Sequence, residues 1–382
     1  MPAADLEALE LYCEETRRRG AAGAIQHLEG QPAVFVQYGT GCPAMDVAHI
    51  KASEAWGANG VIHFDPTWSA RTEGLHEGYL TQGETGTLYT PEIVRLIKRS
   101  LDPGTLWTLR AHRGLNTPEI VVLAGLLGAD MVKMNITYGA LSGGTDPARL
   151  TVDGTEAIRY AAKYSLPFDI PVGHELSGVP AARTFAGMLI LAALGLKLGA
   201  RPILNPLFCY SPNVILEGRM ERNYVDYNAA RIMALRRSIN APIRAGEPVA
   251  FMTHTEDRVQ SGVTTSLHAG LAMSLGVDAV AIASTDEAYS GGAISISSRI
   301  DTLKGVREAF RFFGDAGVRT TVKAEEWAEE IFRGTIRVLE RVAVRGDFVE
   351  ALYEGLLGGA SEGAHPGKAG QNTVTRIGAA RA

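Results

Sequence analysis

The stretch IPVGHELSGVPAARTFAGMLILAALGLKLGARPILNPLF, Ile170 to Phe208, holds a short apolar strand with a polar end, a long apolar helix, a Gly199-Ala200 turn and a second strand ending in Asn205. That is one complete βαβ unit. The same helix-to-strand punctuation recurs as AWGANGVIHF (Ala55 to Phe64), LLGADMVKMN (Leu126 to Asn135) and SLGVDAVAIA (Ser274 to Ala283). The chain is therefore wound from copies of one unit.

Outward from this unit, eight apolar runs recur at regular intervals: Ala33–Tyr38, Gly60–Phe64, Thr105–Arg110, Asp130–Asn135, Phe168–Val172, Arg201–Asn205, Val249–Thr253 and Ala279–Ala283. Helical stretches lie between them at 44–55, 90–100, 117–126, 154–164, 180–198, 225–238 and 263–275, with another at 300–313 after the last. Strands that alternate with helices and are themselves almost wholly apolar imply a parallel sheet covered by helices. Eight such units close most naturally into an α/β (β/α)8 TIM barrel, a fold of about 250 residues. The domain reading is an N-terminal helical cap over residues 1–30, the barrel at 31–314, C-terminal helices at 315–358 and a Gly-rich tail at 359–382.

Composition narrows the classes. Of 382 residues, 46% are hydrophobic and 21% charged, a globular balance, and the net charge of -5 offers no electrostatic footprint for nucleic acid or anionic membrane. Three scattered cysteines make neither a disulfide framework nor a zinc knuckle, and a reducing cytoplasm fits best. The most apolar run, Gly187 to Leu198, falls short of the ~20 residues needed to span a bilayer.

In a barrel of this kind the polar residues at strand C-termini converge on one mouth. The set here includes Tyr38, Arg110, Arg113, Asn135, Tyr138, His174, Glu175, Asn205, His254, Glu287 and Tyr289. His174-Glu175 and His254-Thr255-Glu256 resemble pieces of a metal site, but their spacing matches no metal motif and no metal is assigned. Lys133 shares the face of Asn135, so an inward face would make it either a Schiff-base lysine or the partner of a carboxylate low in the barrel. The loop TEGLHEGYLTQGETG, Thr72 to Gly86, meets no phosphate-cradling spacing and reads as a surface loop or as a lid that lets a flat cofactor come close.

Four segments carry a family resemblance in their order and spacing: TEGLHEGYLTQGETG followed by YTPEIVRLIKR, HRGLNTPEIVVLAGLLGADMVKMN, SGVPAARTFAGMLILAALGLKLGARPI and STDEAYSGGAISISSRI. Together they make residues 33–313 resemble the barrel subunits of adenosylcobalamin-dependent mutases, namely glutamate mutase and ornithine aminomutase. The resemblance implies a radical isomerase of a small carboxylate or amino acid, with adenosylcobalamin as cofactor. Since no DxHxxG motif occurs in the chain, it also implies a small cobalamin-binding subunit in trans and a homodimer of barrels within a heterotetramer. Under it, Tyr38, Arg71, Arg110, Arg113, Asn205 and His254 bind substrate, while Asn135, Tyr138, His174 and Glu175 orient the reacting carbon. Glu77, Gly78, Gln82 and Gly83 would meet the cofactor, together with Glu287, Tyr289, Gly291 and Gly292.

Departures limit the match. The first strand ends in Tyr38-Gly39 where glutamate mutase has an arginine, and Asn135-Ile136-Thr137-Tyr138 replaces Asn-Glu-Gly-Gly, which argues against glutamate as substrate. Val179-Pro180 stands where an aminomutase has its His-Asn pair, so a pyridoxal-phosphate-assisted aminomutase is the less supported variant. Two other readings are a metal- or Schiff-base-dependent barrel lyase using the same mouth, and a non-catalytic barrel scaffold for a partner subunit.

Overall fold

The computed structural model describes residues 30–63, 90–111, 117–134, 136–137, 146–172, 179–207, 223–246, 258–282 and 295–358. Eight strands alternate with helices: β1 (Ala33–Tyr38), α1 (Pro43–Ala55), β2 (Gly60–His63), α2 (Pro91–Ser100), β3 (Leu106–Arg110), α3 (Thr117–Leu127), β4 (Met131–Lys133), α4 (Pro147–Lys163), β5 (Pro167–Val172), α5 (Ala181–Lys197), β6 (Arg201–Pro206), α6 (Tyr224–Ser238), β7 (Arg244–Gly246), α7 (Arg258–Ser274), β8 (Ala279–Ile282) and α8 (Ile296–Phe313). All strand pairs are parallel, in the order β6-β5-β4-β3-β2-β1-β8-β7. Two parallel bridges, Leu204 with Ile243 and Leu207 with Gly246, join β6 to β7 and close the ring. The chain is a (β/α)8 barrel.

The repeated turn does more than reverse the chain. Gly57, Gly128, Gly199 and Gly276 all have φ between +63° and +90°, the left-handed region that favours glycine at the end of a helix. Two residues later, Asn59, Asp130 and Asp278 accept the backbone N–H of Val34, Trp107 and Ile243, each at 2.8 Å. Each of these side chains thus seats the entry of a neighbouring strand, β1, β3 or β7, at the N-terminal rim. At the fourth copy Arg201 stands in this place and donates to the Ser165 carbonyl.

Two elements differ from the sequence expectation. The seventh strand is β7 at Arg244–Gly246, whereas the run 249–253 lies outside the described residues. An arginine and a glycine mask it as a loop, and the arginine is tolerated because it finds its partner inside the barrel. Helix α4 begins at Pro147, seven residues before the expected 154, because the Asp146 carboxylate accepts from Arg149 N–H at 2.9 Å and Pro147 supplies a first-turn φ.

The core has two layers. Outward-facing strand residues such as Val34, Trp107, Phe168 and Leu204 pack against the helices, while Phe35, Ile62, Met131, Ala279 and Ala281 fill the barrel interior. Each large side chain so buried stabilises the fold by about 1.5–3 kcal/mol. Beyond the barrel, α9 (Val322–Arg345) packs on α5 and α6, and α10 (Phe348–Tyr353) packs on α4. Among the described residues no helix is long and apolar enough to cross a membrane.

Candidate functional site

Side chains alternate in and out along a strand, so the lumen-facing set follows from the register. Arg244 on β7 points inward and spans the barrel. Its guanidinium lies 4.8 Å over the Phe35 ring of β1, donates to Thr108 Oγ1 of β3 at 3.1 Å and reaches Met131 Sδ of β4 at 3.2 Å. It also ion-pairs with Asp169 Oδ2 of β5. The same carboxylate oxygen accepts from Asn205 Nδ2 of β6 at 2.9 Å, and Lys133 Nζ of β4 stands 4.0 Å from it. Five strands are thus tied through one buried polar network above an apolar plug.

Arg110 is the last residue of β3 and Lys133 the last of β4, and the two are direct register partners. Both lie on the lumen face, since Arg110 follows Thr108 by two residues and Lys133 follows Met131 by two. Each retains 5% exposure where Asp169 and Asn205 have none, which places the two cations on the mouth side of the network. Asp169 Oδ1 and Asn205 Oδ1 are buried oxygens with no hydrogen-bond partner among the described residues. Next to them, Gly246 keeps the wall thin: a Cβ there would lie 3.2 Å from Asn205 Oδ1. Chemically this is a small floor that offers two cations and two acceptor oxygens.

Of the residues expected at the site, Arg110 and Asn205 reach this floor together. Tyr38 does not. Its ring faces the helix layer, where the hydroxyl accepts from Trp107 Nε1 at 2.8 Å and shares a hydrogen bond with His63 Nδ1 at 2.9 Å. Burial pushes its pKa well above the usual tyrosine value. The remaining expected residues lie outside the described residues: Arg71, Glu77, Gly78, Gln82, Gly83, Arg113, Asn135, Tyr138, His174, Glu175, His254, Glu287, Tyr289, Gly291 and Gly292. Asp169 and Arg244 were not anticipated, although a charged residue at an inward position of an otherwise apolar strand, as in PFDIPV, was a readable signal. No group of three or more His, Cys, Asp or Glu among the described residues is close enough to hold a metal ion.

No protein-family model matches the chain, and no curated protein matches it. Solved structures do. Dihydropteroate synthase from Stenotrophomonas maltophilia is 16% identical over 76% of this chain and 96% of its own, with a TM-score of 0.43. Dihydrodipicolinate synthase is 13% identical over 82% and 84%, at 0.41, and a phosphonopyruvate hydrolase 13% identical over 87% and 98%, at 0.38. At these TM-scores the likenesses carry no argument, and the barrel rests on the chain's own strand order and closure.

The resemblance to adenosylcobalamin-dependent mutase barrels is overturned: the similar structures are synthase and hydrolase barrels, and no family model supports the kinship. Its physical source is visible in the fold. The helix–glycine–strand stretches that matched, LLGADMVKMN and GLKLGARPI, contain the left-handed glycines 128 and 199 that a repeated βαβ turn uses regardless of chemistry. The expected cofactor and cobalamin-binding partner rested on that kinship and lose their support with it.

Proposed function

We propose that the chain is an imine-forming barrel lyase acting on a small 2-oxo acid. The observation that carries this reading is the register pairing of Arg110 with Lys133 on one lumen face at the ends of adjacent strands. Neighbouring strands lie about 4.8 Å apart, and in a 2-oxo acid the carboxylate is bonded directly to the carbonyl carbon. A guanidinium and an amine side by side therefore suit its two functional groups. Arg110 takes the carboxylate, and the Lys133 amine, after giving a proton to solvent, attacks the C2 carbonyl carbon. Loss of water leaves a protonated imine that takes up the electron pair of the C3–C4 bond as it breaks, the C4 hydroxyl losing its proton to water and leaving as a carbonyl. The enamine is then protonated at C3, and water hydrolyses the imine to free the 2-oxo acid and Lys133. Asp169, 4.0 Å from the Lys133 nitrogen, holds this side chain in the lumen, with Arg244 and Asn205 fixing the carboxylate in turn. Asn205 Oδ1 is an acceptor for a substrate hydroxyl.

Incubation with pyruvate and a panel of larger 2-oxo acids in the presence of borohydride tests this. One reduced adduct per chain is expected, mapped to Lys133 by peptide mass and absent from Lys133→Met. Labelling at another lysine, or no labelling by any member of the panel, overturns the proposal, and a barrel kept as a scaffold would give that second result.

A further inference from the structure

Helices α7 and α8 lie so close that a Cβ at Gly305 would sit 2.4 Å from Ser266 Oγ, and an apolar groove of about 570 Å³ runs along their outer side. Val259, Val263 and Leu267, spaced four apart on α7, form one wall, and Phe312 closes the far end of α8. Phe312 is 83% exposed and Val259 77%, so the two ends of the groove carry its most exposed apolar groups. A contiguous apolar strip of this kind on a helix pair marks a contact surface.

The charges on α8 say which partner it fits. Asp301, Lys304, Glu308 and Arg311 alternate in sign at spacings of three, four and three residues, all on exposed positions. Reversing the helix about a point between Lys304 and Glu308 sets Asp301 opposite Arg311 and Lys304 opposite Glu308, so every charge meets its opposite. Parallel alignment in register would set like against like. A pattern that is its own complement on reversal is what a twofold axis requires, because the same patch must serve on both sides. That reversal also carries Phe312 to the level of residue 300, beside Val259, so the aromatic knob at one end of the groove reaches the open end in the other copy.

We propose that the α7–α8 groove is the homodimer interface of this protein, with α8 packing antiparallel on α8 of a second copy and Phe312 seated against Val259 of the partner subunit. Standard interfaces bury about 800 Å² on each partner. The strip is the apolar centre of such a contact, and the four charges are its rim. This inference goes beyond the catalytic reading and stands independently of it.

Sedimentation of the full-length chain over a concentration series gives the test. The wild-type chain is expected to dimerise reversibly, with Phe312→Asp weakening the dissociation constant by about a hundredfold, as loss of an aromatic anchor at two symmetric contacts does. Lys304→Glu and Glu308→Lys should each weaken it by about tenfold through two symmetric like-charge contacts, and the double variant should recover it. The decisive arm mixes the two single variants: Lys304→Glu copies should pair with Glu308→Lys copies in preference to themselves. Within one copy Lys304 lies 4.2 Å over the Trp56 ring and Glu308 pairs with Arg311, so circular dichroism and melting of each single variant, with the double variant beside them, serve as the folding control. A monomer at all concentrations, a dimer indifferent to Phe312→Asp, or the absence of preferential mixing overturns the proposal.

Discussion

Arg244 and Asp169 are both buried to within 2% of complete side-chain enclosure, and each is the other's charge partner. Removing Arg244 leaves the buried Asp169 with only the more distant Lys133, 4.0 Å away, so Arg244→Met should cost about 3 kcal/mol, the low end for breaking a buried pair, and the double variant Arg244→Met with Asp169→Leu less. Urea denaturation measures both; a single variant within about 1 kcal/mol of wild type would refute the inter-strand role assigned to the pair. Two histidines give a second prediction at this scale. Burial, with the Arg231 charge adding, takes His268 down to about 3, and burial, with Arg299 adding, takes His49 down to about 4. His49 Nδ1 accepts from Arg299 Nε at 3.1 Å, and the His268 ring stacks on Tyr224 at 4.4 Å, so both sites hold a neutral imidazole. In the unfolded chain both take up a proton near pH 6.5. Stability is therefore fully present above that pH and is lost as pH falls toward 4, with a slope of up to ~2.7 kcal/mol per pH unit for two protons. His268→Phe should halve the slope, and flat stability between pH 6.5 and 4.5 would contradict it. At this scale the sequence was legible only where alternation was applied strictly. Arg110 and Asn205 follow from counting strand positions, whereas Tyr38 sits at a strand end with the other parity, and one step along a strand exchanges lumen for helix layer.

A recurrent contact at the level of elements is a glycine on a helix or strand under an aromatic ring. A Cβ at Gly195 of α5 would lie 2.4 Å from Phe168 of β5, one at Gly125 would lie 2.2 Å from Tyr164, and one at Gly270 of α7 would lie 2.3 Å from Phe313. These glycines set how closely the helices approach what they cover. Because Phe168 is fully buried and has nowhere to go, Gly195→Ala should cost about 1–3 kcal/mol through overpacking. Trimming the ring with Phe168→Leu in the same chain should recover part of the loss in a denaturant titration; additive losses would count against the contact. The elements themselves were largely readable, since helices and strands here obey different periods and end on glycine or begin with proline. Strand β7 was the exception. Three residues long and carrying Arg244, it has no apolar pattern of its own, and its place is fixed by pairing with β8 and by a charge partner 75 residues away in the chain.

Across the whole molecule, the plug of Phe35, Ile62 and Met131 together with the Arg244 span fills the lumen below the floor, so the proposed chemistry at Lys133 would be approached from the mouth side. The fold could be read from the repetition of one unit. The function could not be read the same way, because the repeated turns that made the barrel legible also produced a false kinship, and only the side chains facing inward distinguish one barrel from another. One asymmetry in the ring follows from its closure. Neighbouring strands elsewhere share continuous ladders, up to six paired residues between β5 and β6, while β6 and β7 meet through two isolated bridges. Across that junction the wall is also held by side chains, since Asn205 of β6 and Arg244 of β7 meet on the same Asp169 oxygen. The seam at which the ring closes is thus fastened by the same carboxylate that stands beside Lys133, so closure of the barrel and the candidate floor depend on one residue.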